Sequence, residues 1–111
     1  MVSKDVLNEM LEKYKNDPDV KKEVAGMKNV YQFAPSDGNP YYLSIMDGEI
    51  KLVDGNKESP TATVTAKDEV LADLFSGKID PIMSYMTGKL KISGDLMSAT
   101  KMTGLVKKLR K

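Results

Sequence analysis

A chain of 111 residues, 41% apolar and 30% charged, is the size of a single domain with one core and has no compositional sign of disorder. Its formal charge of +1 is too small to mark a nucleic-acid footprint. With no cysteine and no histidine, disulfides, thiolate nucleophiles, metal sites built on Cys or His, and imidazole acid–base chemistry are all excluded.

Charge is unevenly spread. Residues 1–60 carry eight lysines against eleven acidic residues, whereas residues 61–111 carry nine basic against five, a net of +4. Lys107, Lys108, Arg110 and Lys111 crowd the end, where basic side chains complement a helix C-terminus on a solvated tail or attract an anionic surface. No apolar run approaches eighteen residues, and the N-terminus lacks the basic-then-apolar order of a signal peptide, so the expected location is cytoplasmic.

Val6, Leu7, Met10, Leu11 and Tyr14 recur at helical spacing and predict an amphipathic helix over about residues 3–15. Asn16-Asp17-Pro18 interrupts it and starts a second, short helix with Val20 and Val24 on its apolar side, ended by Gly26. From Met27 the period becomes two. Tyr31 and Phe33 share a face, and after a turn at 37–40 so do Tyr41, Leu43 and Ile45. Asp47-Gly48 is a tight hairpin signal joining residues 41–46 to 49–53. Thr61 to Thr65 read as a fourth strand rich in β-branched residues.

A helix follows, beginning at Thr65 or at nearby Lys67-Asp68, with Val70, Leu71, Leu74 and Phe75 as its stripe, and Thr65 with Asp68 has capping-box spacing. The stretch 77–95 then packs several signals together. Gly77 and Gly88 are helix stops, Asp80-Pro81 is a helix start, Lys89 to Ser93 alternate as a strand, and Asp95 caps a last helix. That helix carries Leu96, Ala99, Met102, Leu105, Val106 and Leu109 on one face. Gly104 should weaken it by roughly 0.5–1 kcal/mol relative to Ala. It reads as a close helix contact, as simple tolerance, or as the hinge of a helix that moves to admit a ligand.

The order of elements predicts one α+β domain over residues 1–111, a five-stranded sheet with the helices gathered over one face. At this point a resemblance becomes specific. GKIDPIMSYMTGKLKISGD at 77–95, KDEVLADLFSGK before it, and YYLSIMDGEIKLV at 41–53 resemble the sterol carrier protein type 2 domain, and the likeness runs through the whole chain. It implies a mostly antiparallel or mixed sheet of five strands, five helices, and an internal apolar tunnel that holds a lipid. The implied ligands are a fatty acid, a fatty acyl-CoA or a sterol-like molecule. The ending Leu109-Arg110-Lys111 differs from a peroxisomal Ser-Lys-Leu signal.

Each apolar residue is, on its own, ordinary core; as a set, the resemblance makes them candidate walls of a tunnel. These are Phe33, Leu43, Ile45 and Val64 on strands, Leu71, Leu74, Phe75, Ile82, Met83 and Met86 on the middle helices, and Leu90, Ile92, Met97, Met102, Leu105 and Leu109 in the last part. Eight methionines suit a surface that repacks around different ligands. Burying a chain of roughly sixteen carbons has a gross value of about 12 kcal/mol, much of it offset by ordering and association. Lys89, Lys91 and Lys101 are candidates for an anionic head group, although alternation makes Lys89 and Lys91 exposed sheet residues.

Non-catalytic lipid binding or transfer is therefore the favoured function, with no cofactor and no nucleic-acid partner. Transient contact with a membrane or a lipid-metabolic enzyme is in keeping with it, and a homodimer stays open. The alternative is an accessory or scaffold domain that serves such an enzyme without binding lipid itself. Asp47, Asp80 and Asp95 belong to turns and caps rather than to a catalytic pair.

Overall fold

The computed structural model describes residues 2–110. Helix α1 spans Ser3–Tyr14 and α2 Pro18–Val24; strands β1 Asn29–Pro35, β2 Tyr41–Met46, β3 Glu49–Asp54 and β4 Ala62–Ala66 follow. Helices α3 Asp68–Ser76 and α4 Pro81–Met86, strand β5 Lys91–Gly94 and helix α5 Leu96–Leu109 complete the chain. The sheet order is β3-β2-β1-β4-β5, with β1 and β4 parallel at its centre and the other pairs antiparallel, a mixed α+β sheet.

Local chemistry explains most boundaries. Asp17 caps α2 by accepting from Asp19 N–H, with Pro18 in the first turn where no donor is needed. Asp80 does the same for Met83 N–H ahead of Pro81, and Asp95 accepts from the N–H groups of Met97 and Ser98. Asp47 and Gly48 both take positive φ, 52° and 79°, the twist that a two-residue hairpin requires.

One open start is decided and one boundary shifts. Of the two starts for α3, Thr65 is not used, because β4 continues to Ala66 in parallel register with Ala34 and Pro35. The helix begins at the other, Lys67-Asp68, and Asp68 N–H donates to Asp37 Oδ1 at 2.8 Å. Likewise β5 begins at Lys91 rather than Lys89. Leu90 lies just before it, its N–H turned back to Ser84 O while its side chain is buried.

Alternation puts Tyr31, Phe33, Tyr41, Leu43, Ile45, Ala62 and Val64 on one face, all buried under the helices. The register aligns them in rows, as in Phe33 beside Val64 and Val64 beside Ile92. Phe33 stacks on Tyr41 and meets the edge of Phe75, both with centroids 5.2 Å apart, so strand and helix layers interlock at this point. Leu7, Leu11, Val20, Val24, Leu71, Leu105 and Leu109 close the core from above. On the opposite face Gln32 is also buried. Its amide donates to Tyr41 O and Gly55 O and accepts from Lys57 N–H, holding the β3–β4 loop over the sheet.

The start of α1 is capped from a distance. Val2 offers no side-chain cap, and the Asp68 carboxylate accepts from both Ser3 N–H at 3.0 Å and Ser3 Oγ at 2.7 Å. Ser3 Oγ also shares a hydrogen with the Tyr41 hydroxyl. Burial, as its main cause, raises the Tyr41 phenol above its ordinary range. This polar knot ties α1, β2 and the first turn of α3 together inside the protein.

Candidate functional site

Helix α5 crosses the sheet with two stripes of side chains. One stripe, Ala99, Met102, Leu105, Val106 and Leu109, is core. The adjoining one, Leu96, Thr100, Thr103 and Lys107, with Arg110 just beyond, looks toward α4 and the end of α3, and short side chains in its middle leave room. A cavity of about 510 Å³ results. Its walls are Leu74 of α3, Asp80 to Ile82 and Tyr85 at α4, Ile92 of β5, and α5 from Leu96 to Arg110. Along α5 that is about 21 Å at 1.5 Å per residue, so the hollow is a groove running the length of the helix. Of the residues that line it, Ile82, Tyr85 and Leu96 are large apolar side chains exposed to solvent.

The groove is anchored at both ends of α5. At the start, Tyr31 Oη donates to Ser98 O at 2.7 Å, joining β1 to the first turn. Burial, slightly reinforced by the Asp95 charge and opposed by a hydrogen bond with Asn29, pushes that phenol up to about 12. Hydrogen bonds from Ser98 N–H and hydroxyl, then Met97 N–H and the Lys101 charge, hold the Asp95 carboxyl below its usual range against a smaller desolvation effect. At the far end Arg110 Nη1 donates to Leu74 O at 3.3 Å and Phe75 O at 3.2 Å, closing the C-terminus of α3. Gly77 makes this approach available, since a Cβ there would lie 2.8 Å from Arg110 Nε.

The sixteen wall candidates fall into three environments. Leu74, Ile82, Ile92 and Met102 line the groove. Phe33, Leu43, Ile45, Val64, Leu71, Phe75, Leu90, Leu105 and Leu109 are packed in the core, and Leu109 also borders a smaller hollow beside α1. Met83, Met86 and Met97 stand on the surface next to the opening, 59%, 73% and 78% exposed. Lys89, Lys91 and Lys101 are exposed outside the lining, and the cations on the groove are Lys107 and Arg110. The basic tail is thus differentiated: Lys108 pairs with Glu23 at 3.2 Å, Arg110 closes α3, and Lys111 lies outside the described residues. The sequence signal for Lys107 was its place on the second stripe, at helical spacing from Thr100 and Thr103.

Gly104 lies on the groove, and no close helix contact calls for a glycine there. A Cβ would meet nothing nearer than Glu23 Oε2 at 3.8 Å. Among the described residues no three carboxylates gather as a metal site.

Residues 7–107 match the sequence profile of the SCP-2 sterol transfer family. The chain belongs to that family. Hydroxysteroid dehydrogenase-like protein 2 of Rattus norvegicus is 33% identical to this SCP-2 domain over 86 residues, 75% of the chain but only 16% of the rat protein. The solution structure of sterol carrier protein domain 2 of Helicoverpa armigera superposes with a TM-score of 0.75 at 27% identity, covering 93% of this chain and 84% of that one. Sterol carrier protein-2 of Aedes aegypti, solved with palmitate, shares the SCP-2 fold at 13% identity, with a TM-score of 0.68 and 97% of each chain covered.

Proposed function

We propose that this domain binds a single-chain lipid non-covalently, with the aliphatic tail along α5 and an anionic end beside Lys107 and Arg110. Lipid binding and transfer is the general function of the SCP-2 family, to which residues 7–107 belong. The observation that carries the finer reading is the groove itself, about 510 Å³ and apolar over most of its wall, which is within the usual size range of small-molecule sites. Each methylene that leaves water contributes about 0.8 kcal/mol, so the tail provides affinity and the cations provide orientation. Arg110 spends Nη1 on two carbonyls, and a guanidinium has further N–H donors to offer a carboxylate. Palmitate in the Aedes protein of the same fold supports an acyl chain as the ligand class. A fatty acid suits the two cations better than a neutral sterol.

Native mass spectrometry and fluorescent fatty-acid titration test this reading. A one-to-one adduct with a long-chain fatty acid is the expected result. Thr103→Trp, which fills the groove from a half-buried position, should weaken binding by about tenfold or more while leaving the fold intact. Lys107→Ala should cost about two- to fivefold for the acid and nothing for the matching fatty alcohol. A protein that retains no lipid, or a Thr103→Trp variant with unchanged affinity, would reverse the conclusion in favour of an accessory domain.

A further inference from the structure

Arg110 is a wall of two hollows at once. On one side it ends the α5 groove of about 510 Å³, and on the other it borders a hollow of about 280 Å³ between α1 and the ends of α3 and α5. Among the described residues it alone lines both. A half-buried side chain in that position is a partition.

Its seat is built for it. Helix α3 carries no basic residue in its own last turn, so the carbonyl end of its dipole is left to a cation from elsewhere. Arg110 supplies that cation, donating through Nη1 to Phe75 O across 35 residues and to Leu74 O across 36. Gly77, at φ 81°, has no side chain to push the guanidinium away; a Cβ there would lie 2.8 Å from Nε and 3.0 Å from Cζ. Lys107, the other cation on the groove, is exposed and makes none of these contacts.

The hollow beyond Arg110 differs in character from the groove. Val6, Met10 and Leu109 give it an apolar side, while Glu9 and Lys13, one helical turn apart and exposed, bring both signs of charge to it. It lies on the far side of the residue that faces the ligand's carboxylate in the reading above. A head larger than a carboxylate meets the Arg110 side chain before it reaches that room.

The geometry points to Arg110 as the residue that sets head-group size. Seated on the end of α3, its side chain bars the way between the hollows and selects a free carboxylate over an ester with a bulky polar head. This rests on the lipid-binding reading and adds a steric role to the charge of Arg110. The two roles are separable. A carboxylate gains from the charge and is not touched by the bar, whereas a bulky zwitterionic head gains little from one cation and meets the bar.

Two probes with one tail, laurate and lauroyl lysophosphatidylcholine, test this by displacing a fluorescent fatty acid below their micelle concentrations, since the shared tail cancels the burial contribution. The native protein should prefer laurate by about tenfold or more. Arg110→Ala should weaken laurate by about two- to tenfold and strengthen the lysolipid by a similar factor, opposite changes that a purely structural role does not produce. Gly77→Ala, whose methyl group displaces the guanidinium and keeps its charge, should admit the lysolipid with laurate affinity little changed. Lys107→Ala should weaken laurate and leave the lysolipid excluded. Equal affinity of the native protein for both probes, or an Arg110→Ala protein that loses laurate without gaining the lysolipid, overturns the bar and leaves fatty-acid binding standing. Parallel losses for both probes assign Arg110 to structure alone and overturn it as well. No uptake of the fluorescent fatty acid by the native protein removes the lipid-binding reading, and this proposal with it.

Discussion

The two halves of the helix layer treat apolar side chains in opposite ways. Over β1 and β2, Phe33, Tyr41 and Phe75 interlock and the Ser3–Tyr41–Asp68 knot seals the end, and among the described residues no buried side-chain nitrogen or oxygen lacks a partner. Over β5, α4 stands away from the body and short residues on α5 leave a groove. Apolar residues are plentiful in both halves. What differs is whether a facing element comes close enough to cover them, so the filled half supplies stability and the open half is free to take a ligand.

Truncation should expose that contrast most strongly at Phe33. Phe33→Ala removes a ring that is fully buried between two others, and a loss of about 3–5 kcal/mol in urea-induced unfolding is expected. Ile82→Ser, at 66% exposure in the open half, should change stability by no more than about 0.5 kcal/mol. Comparable losses at the two sites would mean that α4 is packed as core and that the halves are alike.

A smaller effect separates the polar knot from the apolar core beneath it. Asp68→Ala leaves Ser3 N–H and the Ser3 hydroxyl without their carboxylate, at a cost of about 1–3 kcal/mol. Because the Asp68 carboxylate is also the cap of α1, the loss should appear as faster hydrogen exchange in residues 3–7. The fatty-acid affinity proposed for the other half should hold. A variant that lost affinity in step with stability would join the two halves into one cooperative site.

The parts legible in the sequence were those decided by neighbours along the chain. Asp17-Pro18, Asp47-Gly48, Asp80-Pro81 and Asp95 each fix a turn or cap within three residues, and all four act as their spacing predicted. Family resemblance extended this to a five-stranded mixed sheet with five helices, while the strand order and the parallel β1–β4 pair came from the structure. Contacts across long separations were not legible: Asp68 reaching Ser3 across 65 residues, or Arg110 reaching Leu74 across 36, leaves no periodic trace. The same limit applies to the groove. Leu71 and Leu74 lie on one helical stripe and both are buried in the core, yet only Leu74 also borders the cavity. Periodicity reports which face is apolar; it does not report what covers that face.

Gly104 gives the smallest expected change and the finest test of where the open half begins. It sits inside α5, where glycine costs roughly 0.5–1 kcal/mol relative to Ala through lost backbone entropy. Neither a positive φ nor a crowding neighbour demands it, with 3.8 Å of clearance to Glu23 Oε2. Gly104→Ala should therefore raise stability by about that 0.5–1 kcal/mol and slow exchange across residues 96–109. If α5 is a fixed wall, fatty acid enters the variant as fast as before, because entry past exposed Ile82, Tyr85 and Leu96 then needs no movement at residue 104. Slower uptake in stopped-flow mixing, alongside the gain in stability, would instead show that the helix must bend at its glycine to admit the chain, and the groove would then be a gated site.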